Sequence, residues 1–350
     1  MSPHERECFV SRIRVGYYIV KSQGVTIKIV APKIEDLFLG DEAYLSAYNE
    51  AVSNGLIRTQ ELEEWKLNNG LWTPKDDEIL ETVKKDIENN KVKCYEYRHQ
   101  LSLLETGKKL VSKMEEKQAE LLKKKNTYQD YTCEGIAEKT KSTYIFKQTC
   151  YNLDGSLFDF EEMGQDPDVW MYLWSQQVLK QHEVREIART DPWLGYWNLR
   201  KHSPLFLNPD NRELTIDQKQ VIIWSNMYNS IQEGYEQPEK MVLEDDILLD
   251  GWLITQNRKS EEERNKREAE KMLEEKNLGN AQEVFFVAKD EREKQHINNL
   301  NSQRSKHIKQ ERMHTVKSMG KATDLDFKDK QIELRAQQNQ MFKNQFRKGR

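Results

Sequence analysis

The chain has few of the residues that mark the commonest kinds of catalytic or membrane protein. Fifteen glycines in 350 residues leave no phosphate-cradling loop, no dinucleotide fingerprint and no nucleophile elbow. Seven histidines are scattered with neither HxxxH nor HExxH spacing, so no zinc signature is present. The four cysteines (Cys8, Cys94, Cys133 and Cys150) form no CxxC pair, which suits buried thiols in a reducing compartment better than a disulfide framework. No window approaches eighteen apolar residues, and no apolar run of signal-peptide length follows the charged start. The expectations are a cytoplasmic, non-enzymatic protein (host cytoplasm or virion if viral), with no membrane contact and no cofactor.

Apolar surface is also scarce. Hydrophobic residues make up 37% and charged residues 33%, against typical values nearer 45–50% and 25%. Part of the chain must therefore extend, or lean on a partner to cover its apolar faces. The charge is uneven: residues 301–350 hold 13 Lys/Arg and 5 Asp/Glu, so the remaining 300 carry a net −12 of the overall −4. An acidic body with a basic end points to an anionic partner for that end, protein or nucleic acid, or to self-association.

The pattern that is present is mostly helical. Val15–Val20 and Val25–Val30 read as a β-hairpin turning at Lys21–Gly24, with Val25, Ile27 and Ile29 on one face. Ile34 to Val52 has helical spacing, with Leu37, Tyr44, Leu45 and Tyr48 on one stripe, and a short helix follows over Thr59–Lys66. Thr73-Pro74 caps a long segment in which Ile87, Cys94 and Leu101 sit seven apart, with Tyr97, Leu104 and Val111 in a second row. That seam shifts near Gly107 and resumes at Val111, Met114 and Leu121. It predicts one long helix, or a hairpin broken at Asn89-Asn90, with pairing of two copies as the plain use of such a seam.

Six of the eight tryptophans fall between Trp170 and Trp252, where a compact core is expected. Asp166-Pro167, Asp191-Pro192 and Thr215 look like helix starts there. Ile216, Ile223, Trp224, Met227 and Ile231 form the predicted inner face of the last of these helices, and a further core helix is expected from about Leu243 through Trp252. Trp193, Trp197, Trp224 and Trp252 suit core packing better than a binding groove. The cluster Glu244, Asp245, Asp246 and Asp250 could suggest a hard cation, but consecutive carboxylates at a helix start point in different directions. First-turn acids favoured by the helix dipole are the better reading. Cys150 with a distant histidine makes only a notional nucleophile, and His182 and His202 read as structural residues near the aromatic core.

These signals predict a mainly α protein in four parts: a hairpin-plus-helix domain over 1–75, a coiled-coil-like segment over 76–126, a Trp-rich helical domain over 127–256, and a charged helical arm with a basic end over 257–350. Within the arm, Val284, Phe285, Phe286 and Val287 form the one concentrated apolar patch. Leu334, Met341, Phe342 and Phe346 are interleaved with cations such as Arg347 and Lys348. Those ten are the candidate partner-binding residues, through helix-in-groove docking or nucleic-acid contact.

The stretch Val25-Thr26-Ile27-Lys28-Ile29-Val30-Ala31-Pro32, followed by Ile34-Glu35-Asp36-Leu37, resembles the start of the tail assembly chaperones of long-tailed bacteriophages. The resemblance covers about the first 50 residues. It implies small helical domains after a short strand pair, no catalysis, and binding to the long helix of a tape-measure protein. This chain is longer than those chaperones usually are, so a virion structural role in tail, baseplate or neck stands beside that expectation. A nucleic-acid-binding accessory role through the basic end is the third.

Overall fold

The first helix starts where no apolar period announces it. Ser2 caps α1 (Pro3–Val15): its hydroxyl accepts from Glu5 N, and Glu5 reaches back to Ser2 N at 2.7 Å, a reciprocal box with proline at the first helical position. Gly16 ends α1 in the left-handed region at φ 77°, where a side chain would be strained. The computed structural model describes residues 1–207 and 213–275, together with Gln310.

After Gly16 come β1 (Tyr17–Ser22) and β2 (Val25–Val30), paired antiparallel with Ser22 opposite Val25. Gln23 and Gly24 both have positive φ, which is what a two-residue turn between twisted strands requires. The predicted alternation holds, with Ile27 and Ile29 fully buried. A third strand, β3 (Cys150–Tyr151), pairs with the other edge of β2 and completes a three-stranded antiparallel sheet. Two residues are too short for a period to mark.

Among the described residues the protein is mainly helical, with twelve α-helices around this one sheet. α2 (Ile34–Ser53) and α3 (Thr59–Asn68) precede α4 (Pro74–Glu96) and α5 (Leu101–Lys125). The long segment is thus a helical hairpin. It breaks at Arg98–Gln100 instead of Asn89-Asn90, because Asn90 stays helical by donating Nδ2 to Asp86 O at 2.7 Å. Leu101 is 73% exposed and so leaves the heptad row, whereas Ile87, Cys94, Leu104 and Val111 are buried. The seam is used within the chain, α4 against α5, with Gly107 letting the helices close onto the Cys94 thiol.

The four carbonyls that end α5 are all satisfied. Asn126 N, Thr127 Oγ1, Thr127 N and Lys66 Nζ donate to the oxygens of Leu122, Lys123, Lys124 and Lys125 in turn. A 3-10 turn (Gln129–Tyr131) leads to α6 (Cys133–Thr149), capped by Thr132. α6 lies along α2 and ends in β3. Tyr18, Val20, Ile27, Ile29, Phe146, Phe158, Phe160 and Trp170 then form a core over one face of the sheet.

The second core is helical. α7 (Pro167–Ser175), α8 (Gln181–Arg189), α9 (Trp193–Asn198), α10 (Ile216–Glu233), α11 (Lys240–Glu244) and the start of α12 (Asp246–Glu275) follow in order. Val184, Ile187, Trp193, Val221, Leu248 and Leu249 join Val10 and Ile13 of α1 and Val111 of α5 in one cluster. Asp166 caps α7 as expected, accepting from Asp168 N at 2.9 Å. The Asp191-Pro192 bond is cis, and Asp191 caps nothing at the head of α9.

The inner face of α10 is the clearest departure from the pattern. Ile216 and Ile223 are exposed at 41% and 59%, whereas Ile231 is buried and Trp224 and Met227 pack against the core as read; Asp217, Gln218, Val221, Ser225 and Tyr228 are buried beside them. Each of the first three polar residues has a specific partner. Asp217 accepts from Arg12 at 2.9 Å and from Leu179 N at 3.0 Å; Gln218 Nε2 donates to Ile13 O at 2.8 Å; Ser225 accepts from Trp193 Nε1 at 2.8 Å. Polar groups can be buried when hydrogen-bonded, and here they bolt α1, the segment before α8, and α9 onto α10. Burial still pushes the Asp217 carboxyl up, against the opposing pull of Leu179 N and Arg12.

Residues 1–254 form one compact unit, and residues 255–350 belong to a second. Of the latter the described residues, apart from Gln310, are the continuation of α12, whose surface from Asn257 to Arg264 is exposed. Among the described residues, no helix is long and apolar enough to cross a membrane.

Candidate interaction surface

The acidic cluster near residue 245 has counter-ions of its own. Asp245 caps α12 by accepting from Ile247 N and Leu248 N, and pairs with Lys108. Asp246 pairs with Arg189 at 2.7 Å; Asp250 pairs with Arg185 at 2.7 Å and with Lys91 at 3.0 Å. Arg185 in turn stacks on the Trp224 ring at 3.9 Å. These carboxylates anchor the root of α12 to α4, α5 and α8, and among the described residues no three potential ligands converge on a metal position. Of the four tryptophans read as core, Trp193, Trp197 and Trp252 are buried and Trp224 is partly buried against the same cluster.

Cys150 is fully buried, and desolvation pushes its thiol up to about 12, so it stays protonated near neutral pH. Cys94 and Cys133 are buried as well, but Cys8 is exposed at the outer face of α1. His182 and His202 are exposed, against the expectation that they pack near the core. The ten arm residues proposed for partner binding, Val284 to Val287, Leu334, Met341, Phe342, Phe346, Arg347 and Lys348, lie outside the described residues.

Exposed apolar side chains gather on α2. Its sequence is among the most apolar of the helices, yet it buries only Gly40 and Ala51. The reason is its contact with α6. A Cβ at position 40 would sit 2.7 Å from Ile145 Cγ1, so the glycine lets the two helices approach closely. Lys141 Nζ pairs with Asp41 at 2.6 Å and fixes their register. The narrow side of α2 faces inward, and its bulky side faces out.

Ile34 is 64% exposed, Leu37 42%, Phe38 62% and Leu45 52%. Positions 34, 38 and 45 fall on one line of a helix, with 37 beside them. Together they present a few hundred Å² of apolar side chain, the size at which a patch on a monomer commonly marks an interaction site. The rim is acidic. Residues 33–53 contain Glu35, Asp36, Asp41, Glu42 and Glu50 against Lys33 alone. Across the interface, burial and the nearby Glu134 and Glu138 of α6 push the Tyr44 phenol up. Tyr44 and Tyr48 stack with rings 6.2 Å apart.

The sequence stripe Leu37–Tyr44–Leu45–Tyr48 therefore splits. The tyrosines are half-buried and the leucines face out. The signal for this was the run of small residues Gly40, Ala43, Ala47 and Ala51, which marks the side that packs. No protein-family model, no curated protein and no solved structure matches this chain.

Proposed function

We propose that this protein is a non-enzymatic assembly protein that holds an amphipathic, basic helix of a partner against the outer face of α2. The observation that carries this is the orientation of α2: Ile34, Phe38 and Leu45 outward, Gly40 and Ala51 inward. A helix with this sequence could bury its bulky side against its own fold, and it presents that side to solvent instead. The acidic rim selects a partner whose apolar stripe is flanked by Lys or Arg. Burying a patch of about 300–600 Å² is worth about 8–15 kcal/mol gross at 25 cal/mol per Å². Association costs take a large share of that, which makes micromolar affinity the natural scale.

The acidic helix in the stretch that resembles tail assembly chaperones is α2, which carries this face. In its particular form, then, the proposal is a phage tail assembly chaperone whose partner is a long tape-measure-like helix, shielded before it is enclosed. The general form of the proposal does not depend on that assignment.

The test is fluorescence anisotropy with a labelled basic amphipathic helix and an acidic one of the same apolar stripe, at about 0.15 M salt, where surface charges are screened within about 8 Å. Binding of the basic helix, lost in Phe38→Glu/Leu45→Glu, supports the reading. Equal binding of both helices, or binding unchanged by the double substitution, refutes it. Sedimentation equilibrium covers the other occupant. A wild-type dimer that the double substitution converts to monomer means that α2 pairs with a second copy, and the partner reading falls.

A further inference from the structure

Away from α2, a cavity of about 270 Å³ opens between α3, the start of α4 and the end of α5. Leu62, Trp72 and Pro74 give it apolar walls, and its charged lining is Lys66, Glu63 and the Lys125–Asp77 pair. Lys66 is only 6% exposed. Its Nζ donates to Lys125 O at 2.6 Å, which uses one of three ammonium donors. The aspartates nearby are engaged elsewhere: Asp77 with Lys125 at 2.7 Å and Asp76 with Lys124 at 3.6 Å. Glu63, which favours the charged form of Lys66, is exposed one turn back on α3. A buried ammonium whose one bond is to a carbonyl, and whose counter-charge is an exposed glutamate on the same cavity wall, is costly. Burial accordingly holds the Lys66 amine below its ordinary range.

A ligand carboxylate would supply what this group lacks, with a charge-assisted bond of the strong kind. The cavity has room for about nine water volumes, enough for a small organic acid of comparable heavy-atom count. We propose that this cavity binds a small carboxylate ligand, its carboxylate on Lys66 and its apolar body against Trp72 and Leu62. The site is independent of the α2 face, so either can fail without the other.

Benzoate is a suitable probe, with benzyl alcohol as the neutral control, titrated into the full chain by ligand-observed NMR. Benzoate should bind at least about tenfold more tightly than benzyl alcohol, a difference of about 1.4 kcal/mol, and Lys66→Met should erase that preference. Leu67, half-exposed on the cavity lining, offers a second variant that spares the buried charge: Leu67→Trp should fill the opening and abolish benzoate binding. Should Lys66→Met fail to fold, Leu67→Trp decides. Equal affinity for the two probes, or benzoate binding unchanged in the variant that decides, overturns the proposal.

Discussion

The two faces of α2 should respond oppositely to mutation. Phe38 is 62% exposed, so only a minor part of its side chain is removed from water in the fold. Complete burial of such a side chain is worth about 1.5–3 kcal/mol, so Phe38→Ser should cost about 1 kcal/mol or less. Gly40→Val is different. The first added carbon already lies 2.7 Å from Ile145 Cγ1 and 2.8 Å from its Cδ1, closer than van der Waals contact, and two more methyls follow. Ile145 is partly buried against α2, so its side chain must shift within the α2–α6 contact to admit them. Overpacking of this kind costs about 1–3 kcal/mol. Urea unfolding followed by far-ultraviolet dichroism measures both, comparing midpoints at constant m. Gly40→Val should lower the midpoint by at least twice as much as Phe38→Ser. The reasoning fails if Phe38→Ser costs more than about 2 kcal/mol, because the bulky side of α2 would then be stabilising the fold.

Three further outcomes follow from packing and charge. Trp193→Phe removes the donor to the buried Ser225 hydroxyl and should cost about 1–3 kcal/mol; adding Ser225→Ala should recover part of it in a double-mutant cycle by thermal unfolding. Gly251→Ala places a Cβ on the Lys91 carbonyl oxygen, so the root of α12 should detach and become cleavable by trypsin under conditions where the wild type resists. Asp76 is held below the ordinary carboxylate range, chiefly by the Thr73 hydroxyl and then by Thr73 N. Its contribution is present above the unfolded value and lost as pH falls through the folded one, so Asp76→Asn should flatten the loss of stability on acidification, read as unfolding midpoint against pH.

Much of the architecture was legible because it rests on local signals. Thr73-Pro74, Asp166-Pro167 and Thr215 each start a helix where a cap was read, and Ile27 and Ile29 point inward as their alternation requires. What escaped the sequence depends on partners distant in the chain. Ser2 and Glu5 cap a helix with little apolar period, and β3 exists only because β2 has a free edge. Asp217, Gln218 and Ser225 form the inner face of α10 because Arg12, Ile13 and Trp193 are there to bond them. The same cause hid α2: Leu37 and Leu45 look like core until Gly40 is seen against Ile145. The heptad row through Leu101 failed for a local reason, since the chain turns at Arg98–Gln100 and takes Leu101 out of the seam.

The most direct test of the central proposal is photocrosslinking in the protein's own cellular setting, with a benzophenone side chain replacing Phe38 in one variant and Ile223, equally exposed on α10, in another. The account predicts a single discrete adduct from position 38, with a protein whose crosslinked peptide is a basic amphipathic helix, and none from position 223. No adduct at position 38, or the same adducts from both positions, would contradict it.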